Sequence, residues 1–199
     1  LGDVYKRQWY YMETSTGVMK TGFFRDANGG LYYSDGSGAM VGNPGWNVIG
    51  GKWYWMNSNG SIYSGWLSRP SGWYYLNADG SMATGWAKVG NTWYYMNGSG
   101  AMQTGWVKTA SGWYYLTGSG AMATGWYVVG GNWYYSNSDG TMQTGWVKVG
   151  NNWYYMDGSG AMAANRWIGN YYVTGSGAMA TNTSVSYTHL RAHETLANL

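Results

Sequence analysis

The stretch TGWAKVGNTWYYMNGSGAMQ, Thr84 to Gln103, decides the fold. It begins with a short alternating run, Trp86-Ala87-Lys88-Val89. Gly90-Asn91 follows, a dipeptide that tolerates positive φ and turns a chain tightly. Trp93-Tyr94-Tyr95-Met96 is rich in strand formers, and Asn97-Gly98-Ser99-Gly100 is a second turn. Two short strands joined by a hairpin loop, then a connection, are therefore expected. If the hairpin loop has two residues, facing positions have numbers that sum to an odd value. Trp86, Lys88, Trp93 and Tyr95 then share one face, and Ala87, Val89 and Tyr94 the other. A three-residue loop would break that assignment.

The same unit recurs on both sides. One Trp series runs 46, 66, 86, 106, 126 and 146, and a second runs 53, 73, 93, 113, 133 and 153, each with a step of 20. Methionine keeps the step at 82, 102, 122, 142 and 162. Early copies are degenerate: Trp9-Tyr10-Tyr11-Met12 is half a unit, Phe23 takes the first Trp place and Leu31-Tyr32-Tyr33 the second motif. The last copy, Arg166-Trp167-Ile168-Gly169-Asn170-Tyr171-Tyr172, is shortened. A fixed period with atypical ends is the mark of a repeat array. From Trp46 to Met162 no ten-residue segment is free of glycine, which argues against helix. The expected class is all-β: a solenoid of stacked two-stranded β-hairpins in repeats of about 20 residues, spanning 9–182.

A lone hairpin is marginal in water, so the units must stack. If every hairpin turns its Trp face the same way, that face meets the reverse face of the next. The Trp pair of one unit then meets the first Tyr of the following unit in a three-walled box, such as Trp86, Trp93 and Tyr114. Met102, in the connection between those two units, is placed to close the floor. Tyr95, on the Trp face, is assigned a structural part. A box of electron-rich rings suits a bulky, weakly hydrated cation. A quaternary ammonium donates no hydrogen bonds, so rings compete well with water for it.

Composition supports a binding surface. Of 199 residues, 15 are Trp and 21 Tyr but only 2 Phe, and 34 are Gly. Rings used purely as core would be accompanied by more aliphatics; these rings carry a polar handle that suits half-exposed sites. A net charge of +3 is too sparse for a nucleic-acid groove. With no cysteine there is no disulfide, thiolate nucleophile or Cys-ligated zinc. No apolar run of membrane-spanning length occurs, and no secretory signal is visible at the start.

At the Thr-Gly-Trp-x-Lys and Trp-Tyr-Tyr-x-x-x-x-Gly-x-Met elements the sequence resembles the choline-binding, or cell-wall-binding, repeat family of Gram-positive bacteria and their phages. The resemblance runs from Trp9 to Asn182. It implies a hairpin solenoid, secreted to the bacterial cell wall, that holds choline groups of teichoic or lipoteichoic acid. Such modules usually sit beside a lytic enzyme or adhesin domain. By position, the boxes are Trp46, Trp53 and Tyr74; Trp66, Trp73 and Tyr94; Trp86, Trp93 and Tyr114; Trp106, Trp113 and Tyr134; Trp126, Trp133 and Tyr154; and Trp146, Trp153 and Tyr171. The methionines Met82, Met102, Met122, Met142 and Met162 join them. The lysine place varies, with Lys88, Lys108 and Lys148 against Ser68 and Val128, so the lysine is not required for the box. Related repeats in glucosyltransferases and clostridial toxins bind carbohydrate, which makes glucan binding the alternative. The partner expected is the choline-substituted polymer, without nucleic acid or membrane span; a homodimer is compatible with the sequence.

No catalytic constellation emerges, and no cofactor or metal is expected. Asp35, Asp79, Asp139 and Asp157 each precede glycine in a turn, where Asp serves backbone geometry. His189 and His193 lack the HExxH order. They also lie in a tail, 183–199, whose string VSYTHLRAHET resembles translated sequencing-adapter sequence, as does LGDVYKRQ at 1–8. Both segments are set apart from the fold as non-native, and the natural protein is expected to be longer.

Overall fold

A computed structural model describes residues 9–13 and 16–181. The expected non-native tails, with His189 and His193, lie outside the described residues. Among the described residues there are sixteen strands and no helix. They are β1 (Gly22–Arg25), β2 (Leu31–Ser34), β3 (Gly45–Ile49), β4 (Lys52–Met56), β5 (Gly65–Arg69), β6 (Gly72–Leu76), β7 (Gly85–Val89), β8 (Thr92–Met96), β9 (Gly105–Thr109), β10 (Gly112–Leu116), β11 (Gly125–Val129), β12 (Asn132–Ser136), β13 (Gly145–Val149), β14 (Asn152–Met156), β15 (Arg166–Ile168) and β16 (Tyr171–Val173). Each odd strand pairs with the next even strand in its own two-stranded sheet.

The register is the one that parity requires. Trp86 faces Tyr95, Ala87 faces Tyr94 and Lys88 faces Trp93 across β7 and β8, closed by the two-residue loop Gly90-Asn91. Gly50 and Gly51 both adopt positive φ, 55° and 78°, as a type I′ turn needs. Where the loop is Pro70-Ser71 or Ala110-Ser111, positive φ moves to the next residue, Gly72 at 131° and Gly112 at 142°.

The chain forms two compact units, one up to Gly105 with Leu116–Met122, the other Trp106–Tyr115 with Ala123 onward. In both, successive hairpins are tied by backbone. In the first unit the Met82 N–H donates to the Trp53 carbonyl at 2.8 Å, and Met102 to Trp73 at 2.7 Å. In the second, Met142 donates to Trp113 and Met162 to Trp133, both at 2.8 Å. The residue after each methionine pairs with its own hairpin, as in Ala83 N–H to Tyr75 C=O at 2.8 Å. One short connecting segment thus bridges two hairpins. The turns before it are held by their polar residue. Asn97 Oδ1 accepts from the Ser99 N–H, the Ser99 hydroxyl and the Ala101 N–H, and Asp157 does the same for Ser159 and Ala161. Asp79 and Asp139 accept from the amides of Ser81 and Thr141, so the turn role expected of these aspartates is what they have.

In both units the core is built from the fourth residue of each Trp-Tyr-Tyr-x motif. Met56, Leu76, Met96, Leu116 and Met156 are all fully buried. At this place β12 has Ser136 and β2 has Ser34, both also fully buried. The lost volume is made up from the facing strand. Tyr127 in β11 stacks on Tyr134 (5.9 Å, 14°) and shares a hydrogen bond of 2.9 Å with the Ser136 hydroxyl. Burial pushes the Tyr127 phenol up. Phe24 in β1 occupies the matching place, stacked on Tyr32 (5.8 Å, 20°), but has no hydroxyl to offer. Ser34 Oγ is accordingly buried without a hydrogen-bond partner.

This pair yields a mirrored prediction. Phe24→Tyr should stabilise the protein by about 1 kcal/mol by satisfying Ser34, while Tyr127→Phe should cost about 1–2 kcal/mol by orphaning Ser136. Urea melts of the two variants check it; equal effects of the same sign would contradict the compensation.

Candidate functional site

Strand alternation puts two indoles of one hairpin on the same face, and the next hairpin supplies a phenol. In the first unit Trp46 meets Trp53 at 6.4 Å and 89°, and meets Tyr74 at 5.1 Å and 64°. Trp66 does the same with Trp73 (6.4 Å, 82°) and Tyr94 (4.7 Å, 73°). In the second unit Trp126 meets Trp133 (6.2 Å, 82°) and Tyr154 (4.7 Å, 71°), and Trp106 meets Tyr134 (4.9 Å, 65°). Trp146 contacts Tyr171 at 5.5 Å and 78°. The first Trp is the corner, and the other two rings stand nearly perpendicular to it.

The walls differ in exposure. Tyr74 is 8% exposed and anchored, whereas Trp53 is 46% exposed. Trp73, Trp113, Trp133 and Trp153 are open in the same way. Behind each corner stands the other tyrosine of the pair, as Tyr75 behind Trp66 (5.1 Å) and Tyr95 behind Trp86 (5.0 Å). That is the structural part expected of Tyr95. Trp55 takes this place in β4, and the Arg69 guanidinium lies 4.3 Å over its ring.

Two corners enclose measurable cavities. Trp46, Trp53 and Tyr74 with Met82, Gly98 and Ser99 line about 320 Å³. Trp106, Trp113 and Tyr134 with Met142, Thr144, Gly158 and Ser159 line about 380 Å³. Neither lining holds a carboxylate, an imidazole or a thiol. Trp86 and Trp93, 6.5 Å apart at 89°, belong to the first unit and Tyr114 to the second, so that expected set rests on repeat register alone.

The methionine assignment needs correction. Met102 was expected to floor the Trp86 box, and by the same step Met122 the Trp106 box. The methionine in the Trp106 cavity is Met142, one repeat later, and in the Trp46 cavity it is Met82. The reason is the backbone tie: each methionine amide binds the carbonyl of the second Trp of the hairpin before its own. By that rule Met102 belongs with Trp73, Met122 with Trp93 and Met162 with Trp133. For Trp153 the partner is Met179 at 2.7 Å, which the step of 20 misses because Met162 and Met179 are only 17 apart. The turn of a third hairpin, Gly98-Ser99 or Gly158-Ser159, was also not foreseen as a wall. It follows from packing. A Cβ on Gly100 or Gly160 would collide with the side chain of Met82 or Met142, so that turn presses the thioether toward the rings.

At the degenerate hairpin the corner is different. Phe23 meets Tyr54 at 5.2 Å, but Leu31 replaces the open Trp and packs with Tyr54, Met56 and Ile62. Ile62 makes the backbone tie that methionine makes elsewhere, to Leu31 at 2.6 Å. Among the described residues no cluster of three His, Cys, Asp or Glu could hold a metal ion.

These features match a known family. The family described as choline-binding repeat matches at residues 43–84, 83–125 and 123–167. A second family of the same description matches 161–188, and one described as putative cell wall binding repeat matches 21–40. Among solved structures, CbpJ from Streptococcus pneumoniae TIGR4 is 38% identical, with a TM-score of 0.73 over 86% of this chain and 61% of that one. Choline binding protein F from the same species, in the presence of a peptidoglycan analogue, is 38% identical with a TM-score of 0.71 over 83% and 59%. The modular autolysin LytC of that species is 35% identical with a TM-score of 0.59, covering 86% of this chain and 40% of LytC. The chain thus spans about three fifths of the length of the first two. No curated protein matches. The chain belongs to the choline-binding repeat family.

Proposed function

We propose that this chain is an attachment module that holds choline groups of a cell-wall teichoic polymer in the corners between its hairpins, at the bacterial surface. The observation that carries this is the perpendicular three-ring corner with a thioether and no carboxylate in its lining. A trimethylammonium group presents a greasy positive sphere to all three faces at once. Each contact contributes about 0.5–2 kcal/mol according to desolvation. Three give on the order of 2–5 kcal/mol, near the ~4.1 kcal/mol of a millimolar site. Several such corners on one polymer raise avidity without new contacts.

The site residues are the ring sets above with the methionines assigned by the backbone tie. Carbohydrate binding is not favoured. A sugar needs several free hydrogen-bonding groups around the stacked ring, and in the Trp46 cavity the Ser99 hydroxyl already donates to Asn97 at 2.6 Å and the Tyr74 hydroxyl is paired with Ser71 at 2.9 Å. The repeats are binding modules, and the chain is assigned no catalysis of its own. Its likeness to a modular autolysin supports a place within a larger wall hydrolase or surface protein.

The full chain should bind a tertiary-amine resin and elute with free choline, and choline should change Trp emission near millimolar concentration. Retention on α-glucan with no response to choline would sink the proposal. Trp106→Ala removes a corner ring and should delete one site, lowering the choline stoichiometry in calorimetry while leaving the fold's circular dichroism unchanged. Gly160→Ala forces a side chain into φ +85° and onto Met142, so it should cost about 1 kcal/mol of stability and weaken the same site.

Affinity should be flat between pH 5 and 8, since neither lining titrates there. The Ser159 hydroxyl, first among its hydrogen bonds, holds the Asp157 carboxyl below the usual range, and Ser81 and Ser37 do so for Asp79 and Asp35. A depressed folded pKa contributes stability above the unfolded value of about 3.9, lost as pH falls through the folded value. Choline retention should therefore fail only below about pH 4, with the turns; a midpoint near pH 6 would contradict this.

A further inference from the structure

A second cavity in the first unit, about 560 Å³, opens beside Trp86 and Trp93 and is lined on its polar side by Lys52, Lys88, Asn77, Ser81 and Thr84. Its two lysines come from hairpins that are not adjacent, β3–β4 and β7–β8. Neither forms an ion pair or hydrogen bond within the described residues, where the salt bridge present is Lys20 with Glu13. Lys88 Nζ lies 5.9 Å from the Trp93 ring centroid, a cation–π contact that puts an ammonium at the edge of an open indole wall. Asp79, whose carboxyl feels the Lys52 charge, has Oδ1 engaged by the Ser81 N–H (2.9 Å) and hydroxyl (2.6 Å). The site is also a departure from the repeat. The place of Lys52 is Gly72, Thr92, Gly112, Asn132 and Asn152 in later hairpins, and the place of Lys88 is Ser68 and Val128 in two others. Two cations without an ion pair line one groove, and register brings no such pair to another.

We infer that this groove is an anion subsite for the phosphate that carries choline on its polymer, resting on the proposed choline reading of the adjoining rings. The quaternary ammonium sits against Trp86 and Trp93, and the phosphate, a short carbon link away, takes the side of the two lysines and Thr84. Lysine suits this as a compact charge that can reach a phosphate oxygen. Phosphocholine should therefore bind here more tightly than choline, whereas the Trp66–Trp73 corner, with Ser68 and Gly30 in the two lysine places, should show no such preference.

The test is ¹⁵N-indole NMR of the full chain, titrated separately with choline, phosphocholine and inorganic phosphate. The Trp93 signal should respond to phosphocholine at concentrations roughly threefold to tenfold lower than to choline, with the difference shrinking at 0.5 M salt. In Lys52→Gln/Lys88→Gln the preference for phosphocholine should be lost, and the two ligands should become equal at Trp93. Equal affinities in the wild type, or a preference that survives in the double variant, would overturn the subsite. Loss of the choline response at every indole would instead overturn the cage reading on which it rests. Choline-substituted teichoic acid and phosphatidylcholine vesicles distinguish the carriers: variant-sensitive binding to the former is expected, and variant-sensitive binding to vesicles alone would overturn the wall polymer as the source.

Discussion

One hydrogen bond sets everything else: the methionine amide of one connecting segment on the second tryptophan carbonyl of the hairpin before. Five-residue strands in isolated pairs do not hold together in water. The 2.8 Å bond from Met82 to Trp53 spends an otherwise unpaired edge of β4 on the segment that follows β6. The same segment pairs through Ala83 with Tyr75, so one extended stretch serves two edges at once. Edge strands that would otherwise recruit foreign chains are covered in this way. The bond also fixes the rise from one hairpin to the next, and with it the distance at which the Tyr74 ring meets the Trp46 indole.

Given that spacing, the residues divide their labour by parity. The even face of each second strand carries the first tyrosine and the fully buried fourth residue, Tyr74 and Leu76 or Tyr54 and Met56. The odd face carries the open indole and the ring that braces the corner. The open indole thus lies opposite the buried fourth residue, while the first tyrosine shares that residue's face and walls the corner of the hairpin before. Ser136 with Tyr127 shows the core face tolerating an exchange of volume across the hairpin while Trp126, Trp133 and Tyr154 keep their corner.

Much of this was legible in the sequence because the period is rigid. Trp every 20 residues and a two-residue loop determine register, and register determines which rings share a face; Trp66, Trp73 and Tyr94 stand where parity puts them. What parity cannot supply is the pitch between hairpins. That depends on the backbone bond of the connection, so the methionine was placed one repeat early and the Gly98-Ser99 wall was missed. The offset was visible afterwards in Met179, whose spacing of 17 still satisfies the tie to Trp153. Compensation inside the core was equally hidden, since Tyr127, which faces Tyr134, reaches Ser136 two residues along the hairpin.

The degenerate hairpin explains why the other corners stay open. Leu31 and Ile62 are flexible enough to settle onto Tyr54 and Met56, and they become part of the core. An indole cannot do this. Trp73 is wide and rigid, Trp66 is braced from behind by Tyr75, and Tyr94 is carried on the next hairpin, so no low-energy rotation lets three perpendicular plates fill the space they bound. The cost is an indole left 48% exposed at Trp73, apolar area that a monomer would gain by burying at about 25 cal/mol per Å². The exposure recurs at Trp53, Trp73, Trp113, Trp133 and Trp153, and the proposed ligand, a round cation with an apolar surface, recovers it from all three plates at once.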